Sequence, residues 1–135
     1  MGKILIFKDA DWSAVAVDQV STGVTSLTPT ILEGMAIGSN GKISANNAWR
    51  VYYVPITAGK KYELKVKWSN AHYQRVGTST SVPANNTTLS LFINQQVTAE
   101  ATTTLDYIYV ANSNGYLAWQ MHIADTISCM IKEWV

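Results

Sequence analysis

Apolar and polar side chains alternate with a period of two over residues 62–68. The alternation sets an apolar series against a charged one, namely Tyr62, Leu64, Val66 and Trp68 against Glu63, Lys65 and Lys67. Because successive side chains of a β-strand point to opposite faces, this pattern places one series in a core and the other in water. Residues 62–68 are therefore predicted to form a half-buried strand.

Similar apolar runs recur along the chain, and turn-forming residues bound them. Strands are predicted at residues 3–7, 31–37, 51–56, 89–93, 105–110, 116–123 and 127–135, and residues 13–20 are predicted to be a strand or a loop. Turns are predicted at Asn40-Gly41, at residues 57–60 and at Asn114-Gly115, since Gly and Asn accept the backbone angles of tight turns. Pro55 indicates that its strand ends there or lies at a sheet edge. Long loops are predicted over residues 38–47 and 69–88.

This pattern predicts an all-β fold. Val, Ile and Thr make up 37 of the 135 residues, and no helical pattern of ten residues separates the strands. β-Branched residues favour pleated, half-buried surfaces. Eight or nine short strands joined by turns are typical of an antiparallel β-sandwich (jelly roll). The length suits one domain, so residues 1–135 are predicted to form a single β-sandwich domain.

Charge and hydropathy narrow the expected partners and location. Ten Lys and Arg residues nearly balance nine Asp and Glu residues, for a net charge of +1. A balanced charge argues against nucleic acid or an anionic membrane as the partner, and no apolar run approaches a membrane span. The first apolar run covers only residues 4–7, too short for the core of a signal peptide. We expect a virion or extracellular protein without a conventional signal peptide.

The reactive residues do not form a known catalytic or metal-binding motif. The one cysteine, Cys129, alternates with Ile127 and Ile131, which predicts a buried apolar role rather than a nucleophile. The two histidines, His72 and His122, lack the spacing of a zinc motif, and His122 is predicted to be a polar residue on a sheet face. No pair of glutamates is marked out by spacing as a glycosidase pair. The prediction is a non-enzyme with no metal and no cofactor.

The remaining chemical signal is an excess of Trp, Tyr and uncharged polar residues. Five Trp and seven Tyr accompany only two Phe, and Ser, Thr, Asn and Gln add 39 residues. Aromatic rings with a polar tip suit partly hydrated surfaces. At such a surface a ring can stack on a sugar while amides bind the hydroxyl groups of the sugar. The same residues also suit a wet protein–protein surface. Trp68 and Trp119 alternate with apolar residues and are predicted to lie in the core.

The other candidates lie in or directly after three predicted loops or turns, at residues 49–50, 69–75 and 112–116. Because the loops at one end of a sandwich converge and binding residues favour loops, these segments are the predicted binding surface. Their order in space depends on strand order, which the sequence does not reveal. The candidate ligand-binding residues are Trp49, Arg50, His72, Tyr73, Arg75, Asn112, Asn114 and Tyr116.

One passage of the sequence has a distinctive order of loop, strand and turn. Residues 37–64 contain a polar loop, an apolar strand and the spacing Pro55-x-x-x-Gly59-Lys60-x-Tyr62. This order is similar to that of carbohydrate-binding jelly-roll modules with a galactose-binding-like fold, and residues 127–135 are similar to their last strand. Residues 7–13 resemble the start of modules attached to tail or surface proteins of phages and prophages of gut Bacteroidales. The chain lacks the acidic cluster that holds the structural calcium common in that fold.

The resemblance and the aromatic and amide content imply a non-catalytic carbohydrate-binding or adhesion module. It would be the receptor-binding part of a phage or prophage structural protein, with a glycan or cell-surface polysaccharide as partner. The alternative is a structural virion or assembly subunit, a capsid-decorating or tail component, whose exposed aromatics pack against other chains. Both are compatible with a homo-oligomer that multiplies weak contacts. Rings and amides that line a groove favour the first interpretation, and rings on a flat patch favour the second.

Overall fold

The computed structural model describes residues 24–97 and 105–134 of the chain. These two ranges contain nine β-strands and no helix. The predicted strand at residues 3–7 and the predicted strand or loop at residues 13–20 lie outside the described residues. The strands are β1 (Val24–Leu27), β2 (Thr30–Ile37), β3 (Ile43–Ile56), β4 (Lys61–Trp68), β5 (His72–Ser79), β6 (Ser90–Val97), β7 (Leu105–Val110), β8 (Gly115–His122) and β9 (Thr126–Trp134).

The strands form two antiparallel sheets that pack as a β-sandwich, which confirms the predicted fold class. One sheet has four strands in the order β1-β9-β4-β7, and the other has five in the order β2-β3-β8-β5-β6. The long central strands β8 and β3 pair over eight residues, from Trp49 opposite His122 to Ile56 opposite Gly115. Strand β8 therefore pairs along its full length with the second half of β3.

The main core lies between the two sheets. In β4, the apolar positions are buried and the charged positions are more exposed, as the alternation predicted. Trp68 of the four-stranded sheet and Trp119 of the five-stranded sheet both have no exposed surface, which confirms their predicted core positions. Burial of such side chains contributes about 2 kcal/mol each and holds the sheets face to face.

A second, smaller core lies on the other face of the five-stranded sheet. It contains the buried side chains of Ile37, Ile43, Val51, Leu89 and Ala118. The connection between β5 and β6 covers this part of the face, because the Ile43 N–H donates to the Thr87 carbonyl (2.8 Å) and the Leu89 N–H donates to the Gly41 carbonyl (2.8 Å). A Cβ at Gly41 would lie 2.2 Å from the Leu89 oxygen, so only glycine permits this approach.

The predicted turns between β2 and β3 and between β3 and β4 are confirmed. Gly41 has a φ of 88° in the turn from β2 to β3, and Gly59 has a φ of 85° in the turn from β3 to β4. Pro55 lies one residue before the end of β3, in agreement with the prediction that its strand ends there. The pairing of β3 with β2 has already ended at Tyr53, so the missing proline N–H costs no hydrogen bond on that side.

Two predicted loops are wrong in part. Strand β3 begins at Ile43, inside the predicted loop 38–47, and β5 occupies His72–Ser79, inside the predicted loop 69–88. Both stretches are rich in polar residues, so they lack the apolar alternation from which the other strands were predicted. In β5 the polar residue Gln74 is fully buried, and β6 and β8 pair with the strand on its two sides. His72, Tyr73 and Arg75 therefore lie on a strand and not in a loop.

Candidate functional site

A groove lies on the same face of the five-stranded sheet as the smaller core. It occupies the part of this face that the β5–β6 connection does not cover. It has a volume of about 380 Å³, within the usual range for small-ligand sites. Strands β2, β3, β5, β6 and β8 all contribute side chains, and most of these carry rings, amides or hydroxyls. The groove is lined by Ala36, Ile37, Gly38, Ser44, Asn46, Trp49, Ala71, His72, Tyr73, Arg75, Gln96 and Gln120.

Tyr73 and Arg75 lie side by side at the surface of this groove. The Tyr73 side chain is 46% exposed, and the Arg75 guanidinium lies 4.9 Å from the centre of its ring. Arg75 is fixed there because its Nε donates to Asn94 Oδ1 (2.8 Å) and its Nη1 donates to the Ile37 carbonyl (2.9 Å). A guanidinium has five N–H donors. The arrangement presents a rigid ring beside a positive charge that has further N–H donors for a ligand.

Gln120 forms the floor of the groove and is almost fully buried. Its Oε1 accepts a hydrogen bond from the Ile37 N–H (2.8 Å), and its Nε2 donates to the Tyr73 carbonyl (2.8 Å). Backbone pairing of β5 with β8 stops at Val76 opposite Trp119, one position before Gln120. The amide of Gln120 therefore links β8 to β5, its neighbour in the sheet, and to β2, which lies beyond β3.

A cluster of four aromatic rings closes one end of the groove. Trp49 makes edge contacts with the rings of Trp68 (6.0 Å between centroids), His72 (5.3 Å) and His122 (5.0 Å). The two imidazoles stack on each other, with centroids 4.1 Å apart and planes 13° apart. Strand β5 begins at His72 and β8 ends at His122, so the two strand ends place these rings together.

Asp125 joins the two histidines from the turn between β8 and β9. Its Oδ2 lies 2.6 Å from His72 Nε2 and 3.4 Å from His122 Nδ1. Its other oxygen, Oδ1, accepts from Asn70 Nδ2 (3.0 Å) and from Ser69 Oγ (3.3 Å). Each of the three side chains offers one nitrogen or oxygen atom to a group whose three atoms lie within 4.8 Å of one another.

The charge states of this group follow from its surroundings. Burial lowers the pKa of His122, the neighbouring His72 lowers it further, and Asp125 opposes both effects. The hydrogen bond with His72 and then the one from Asn70 lower the pKa of Asp125, while burial opposes them. At neutral pH the group thus contains a neutral imidazole at His122 and a charged carboxylate at Asp125.

The structure brings four of the eight predicted ligand-binding residues together. Trp49, His72, Tyr73 and Arg75 all line the groove. Arg50 neighbours Trp49 on β3 but lies outside the groove lining, and its Nε donates to Glu33 Oε1 (2.7 Å) on β2. Its role in the structure is an exposed ion pair between two strands.

The other three predicted residues lie at the opposite end of the five-stranded sheet. Asn112 and Asn114 belong to the turn before β8, and Tyr116 is the second residue of that strand. The strand spans about 23 Å between its ends, at ~3.3 Å per residue. Asn114 Oδ1 accepts a hydrogen bond from the Ala58 N–H (2.9 Å), and Tyr116 contacts Tyr53 (5.8 Å between centroids). The three predicted loops therefore do not share one surface.

A second cleft of about 370 Å³ lies at that opposite end. Hydroxyl side chains dominate its lining, with Tyr109 as its one aromatic residue. Asn114 is the only predicted binding residue that lines it. The lining residues are Ile56, Thr78, Ser79, Thr80, Ser81, Thr87, Thr88, Ser90, Tyr109, Ser113, Asn114 and Gly115.

Several residues of the site were not predicted from the sequence. Asn46, Gln96 and Gln120 line the groove, and Asp125 lies in the turn between β8 and β9. Their spacing carries no signal, because each comes from a different strand or turn. Only the short interval His122-x-x-Asp125 placed two members of the cluster near each other in the chain.

The described residues include no helix that is long and apolar enough to cross a membrane. No protein-family model, no curated protein and no solved structure matches this chain.

Proposed function

We propose that this chain is a non-catalytic carbohydrate-binding module that holds a glycan in the groove of the five-stranded sheet. The observation that carries this proposal is the position of Tyr73, a half-exposed ring fixed beside the Arg75 guanidinium in a groove lined by amides. The ring offers an apolar face for the C–H groups of a sugar. The neighbouring donors and acceptors match its hydroxyl groups.

The polar lining supports a neutral, hydroxyl-rich ligand. Asn46, Gln96 and Gln120 each have an amide, which both donates and accepts hydrogen bonds, and Ser44 adds a hydroxyl. Among the residues that the structure describes, no carboxylate lines the groove, and Arg75 is the one permanent charge there. An acidic sugar is therefore accommodated as well as a neutral one.

The rigidity of the groove also supports binding. Hydrogen bonds fix Arg75 to β2 and β6, and Gln120 links β8 to β2 and β5. A preformed site avoids the cost of ordering side chains when the ligand binds. Since a single glycan contact of this size is weak, adhesion would rely on several copies acting together.

One observation favours the alternative function, an assembly subunit of a virion. Strand β7 lies at the edge of the four-stranded sheet and exposes Tyr107, Ile108 and Val110. Exposed apolar residues on an edge strand favour pairing with another chain. Light scattering on the purified protein tests this alternative, because a chain that stays monomeric at all concentrations contradicts an assembly role.

The test of the proposal is a glycan array probed with the whole chain, followed by calorimetry on the best hit. Replacement Tyr73→Ala removes the stacking surface, and we expect the affinity to fall roughly tenfold, as expected for the loss of one aromatic contact. The matched control is Tyr107→Ala, which removes an exposed tyrosine of the other sheet and leaves the affinity unchanged. Absence of any hit, or equal losses in the two variants, contradicts the proposal.

A further inference from the structure

The geometry of His72, His122 and Asp125 points to a second site, and we propose that these three side chains bind one divalent transition-metal ion, with Zn²⁺ as the reference ion. The two imidazole nitrogens and one carboxylate oxygen form a three-ligand set. Such a set leaves a fourth position for water, as in zinc sites with three protein ligands. The site lies at the closed end of the groove and does not depend on glycan binding.

The distances in the cluster fit a metal ion of this size. In a tetrahedral zinc site, bonds of about 2.0–2.2 Å place the ligand atoms ~3.3 Å apart. The Asp125 oxygen lies 2.6 Å from His72 Nε2 and 3.4 Å from His122 Nδ1, and all three atoms lie within 4.8 Å of one another. Binding would require the stacked imidazoles to turn so that each aims a nitrogen at the ion, and bonds to the ion would replace the 2.6 Å hydrogen bond between His72 and Asp125.

His122 supplies an independent indication. Its Nδ1 is buried and has no hydrogen-bond partner among the described residues. A buried polar atom without a partner is costly and rare in folded proteins. Because this nitrogen faces the Asp125 oxygen at 3.4 Å, an ion held between them would give it a partner.

The neighbours of Asp125 orient its carboxylate, as residues that hydrogen-bond to metal ligands do in metal sites. Asn70 and Ser69 hold its Oδ1, which leaves Oδ2 directed at both histidines. The Ser69 N–H also donates to the Asp125 carbonyl (2.9 Å), so side chain and backbone are both fixed. Hydrogen bonds of this kind set the orientation and basicity of metal ligands.

The ligand chemistry selects the class of ion. Imidazole nitrogens suit Zn²⁺, Cu²⁺, Ni²⁺ and Co²⁺, whereas Ca²⁺ and Mg²⁺ require six or more oxygen ligands. The indoles of Trp49 and Trp68 pack against His72 and shield one side of the cluster. A bound ion would join the start of β5, the end of β8 and the turn that follows β8.

The experiment titrates the whole chain, without a histidine tag and after removal of metals with EDTA, with ZnCl₂ in a calorimeter. We expect one Zn²⁺ per chain and a rise in melting temperature of about 5 °C at saturation, because the ion binds the folded state alone. CaCl₂ at the same concentration has no effect. Since the chain has only two histidines, both imidazole signals in NMR spectra shift with one equivalent of Zn²⁺.

Two variants and one control locate the ion. His122→Gln and Asp125→Asn each weaken Zn²⁺ binding more than about tenfold, as expected for loss of a ligand. The control Asp106→Asn removes a half-exposed carboxylate on β7 and leaves the affinity unchanged. If a ligand variant does not fold, the NMR shifts of the unaltered chain decide the question. Absence of heat and of shifts overturns the proposal, as does equal affinity in all three variants.

Glycan binding is measured separately in EDTA. A chain that binds glycan but no Zn²⁺ overturns only the metal site. A chain that binds Zn²⁺ but no glycan overturns only the proposed function.

Discussion

Cys129 lies on β9, with its sulfur against the indole of Trp119. The Trp119 Nε1–H donates to Cys129 Sγ at 3.1 Å. Burial raises the pKa of this thiol to about 11, although the hydrogen bond from Trp119 acts in the opposite direction. Because the thiolate is the reactive form, the raised pKa makes the thiol inert at neutral pH.

We expect the native protein to react slowly with iodoacetamide at pH 8. With a pKa of about 11, roughly 0.1% of the thiol is ionised, against about 10% for an unshifted cysteine. The rate measured by mass spectrometry should therefore be about 100-fold slower in the native protein than in urea. Equal rates in the two conditions would show that the thiol is exposed.

The same shift sets a direction for stability at high pH. The folded state holds the Cys129 proton more tightly than the unfolded state does. Its contribution is therefore fully present below pH ~9 and is lost as the pH rises towards 11.

Strand β8 is the element that carries the site, because it provides the floor of the groove and one end of the histidine cluster. Gln120 links it to β2 through the Ile37 N–H and to β5 through the Tyr73 carbonyl. The side chain is 1% exposed, so water cannot replace it in these bonds. A single polar side chain thus holds three strands in register beneath the groove.

We predict that Gln120→Leu lowers the free energy of unfolding by about 2–4 kcal/mol. The substitution keeps the volume but leaves a buried N–H and a buried carbonyl without partners. Urea denaturation measures the loss, and hydrogen exchange should show faster exchange of the Ile37 amide.

The control for this variant is Gln96→Leu, an exposed glutamine of β6 that lines the same groove. Its effect should stay within about 0.5 kcal/mol. Equal stability of the two variants would mean that the Gln120 bonds contribute nothing.

At the scale of the molecule, the stability depends on the core between the two sheets. Leu117 of β8 is buried in this core among residues of both sheets. Leu117→Ala should lower the free energy of unfolding by about 2–5 kcal/mol, since it removes apolar contacts and leaves a cavity. In urea, the midpoint should fall while the slope of the single transition stays the same.

Ile127→Ala is the matched surface variant, because Ile127 is 57% exposed on β9. We expect a change within about 0.5 kcal/mol. Two separate transitions in either variant would show that the sheets do not unfold together.

The strands and the core tryptophans follow from local pattern. The alternation over residues 62–68 predicted a strand that the structure gives as Lys61–Trp68, and the same reasoning placed Trp68 and Trp119 in the core. Side-chain alternation depends only on neighbours in the chain, so it can be read without the fold. The turns at Gly41 and Gly59 are local in the same sense.

The groove and the histidine cluster follow from strand order instead. His72 and Asp125 are 53 residues apart in the chain, and Gln120 binds a backbone N–H 83 residues away. The order β2-β3-β8-β5-β6 brings Tyr73 beside Gln120 and sends Asn112, Asn114 and Tyr116 to the far end. The polar sequence of β5 predicted a loop because the hydrogen-bond partners of these residues lie on strands that are distant in the chain. Long-range pairing, which no local pattern encodes, decides which side chains form a site.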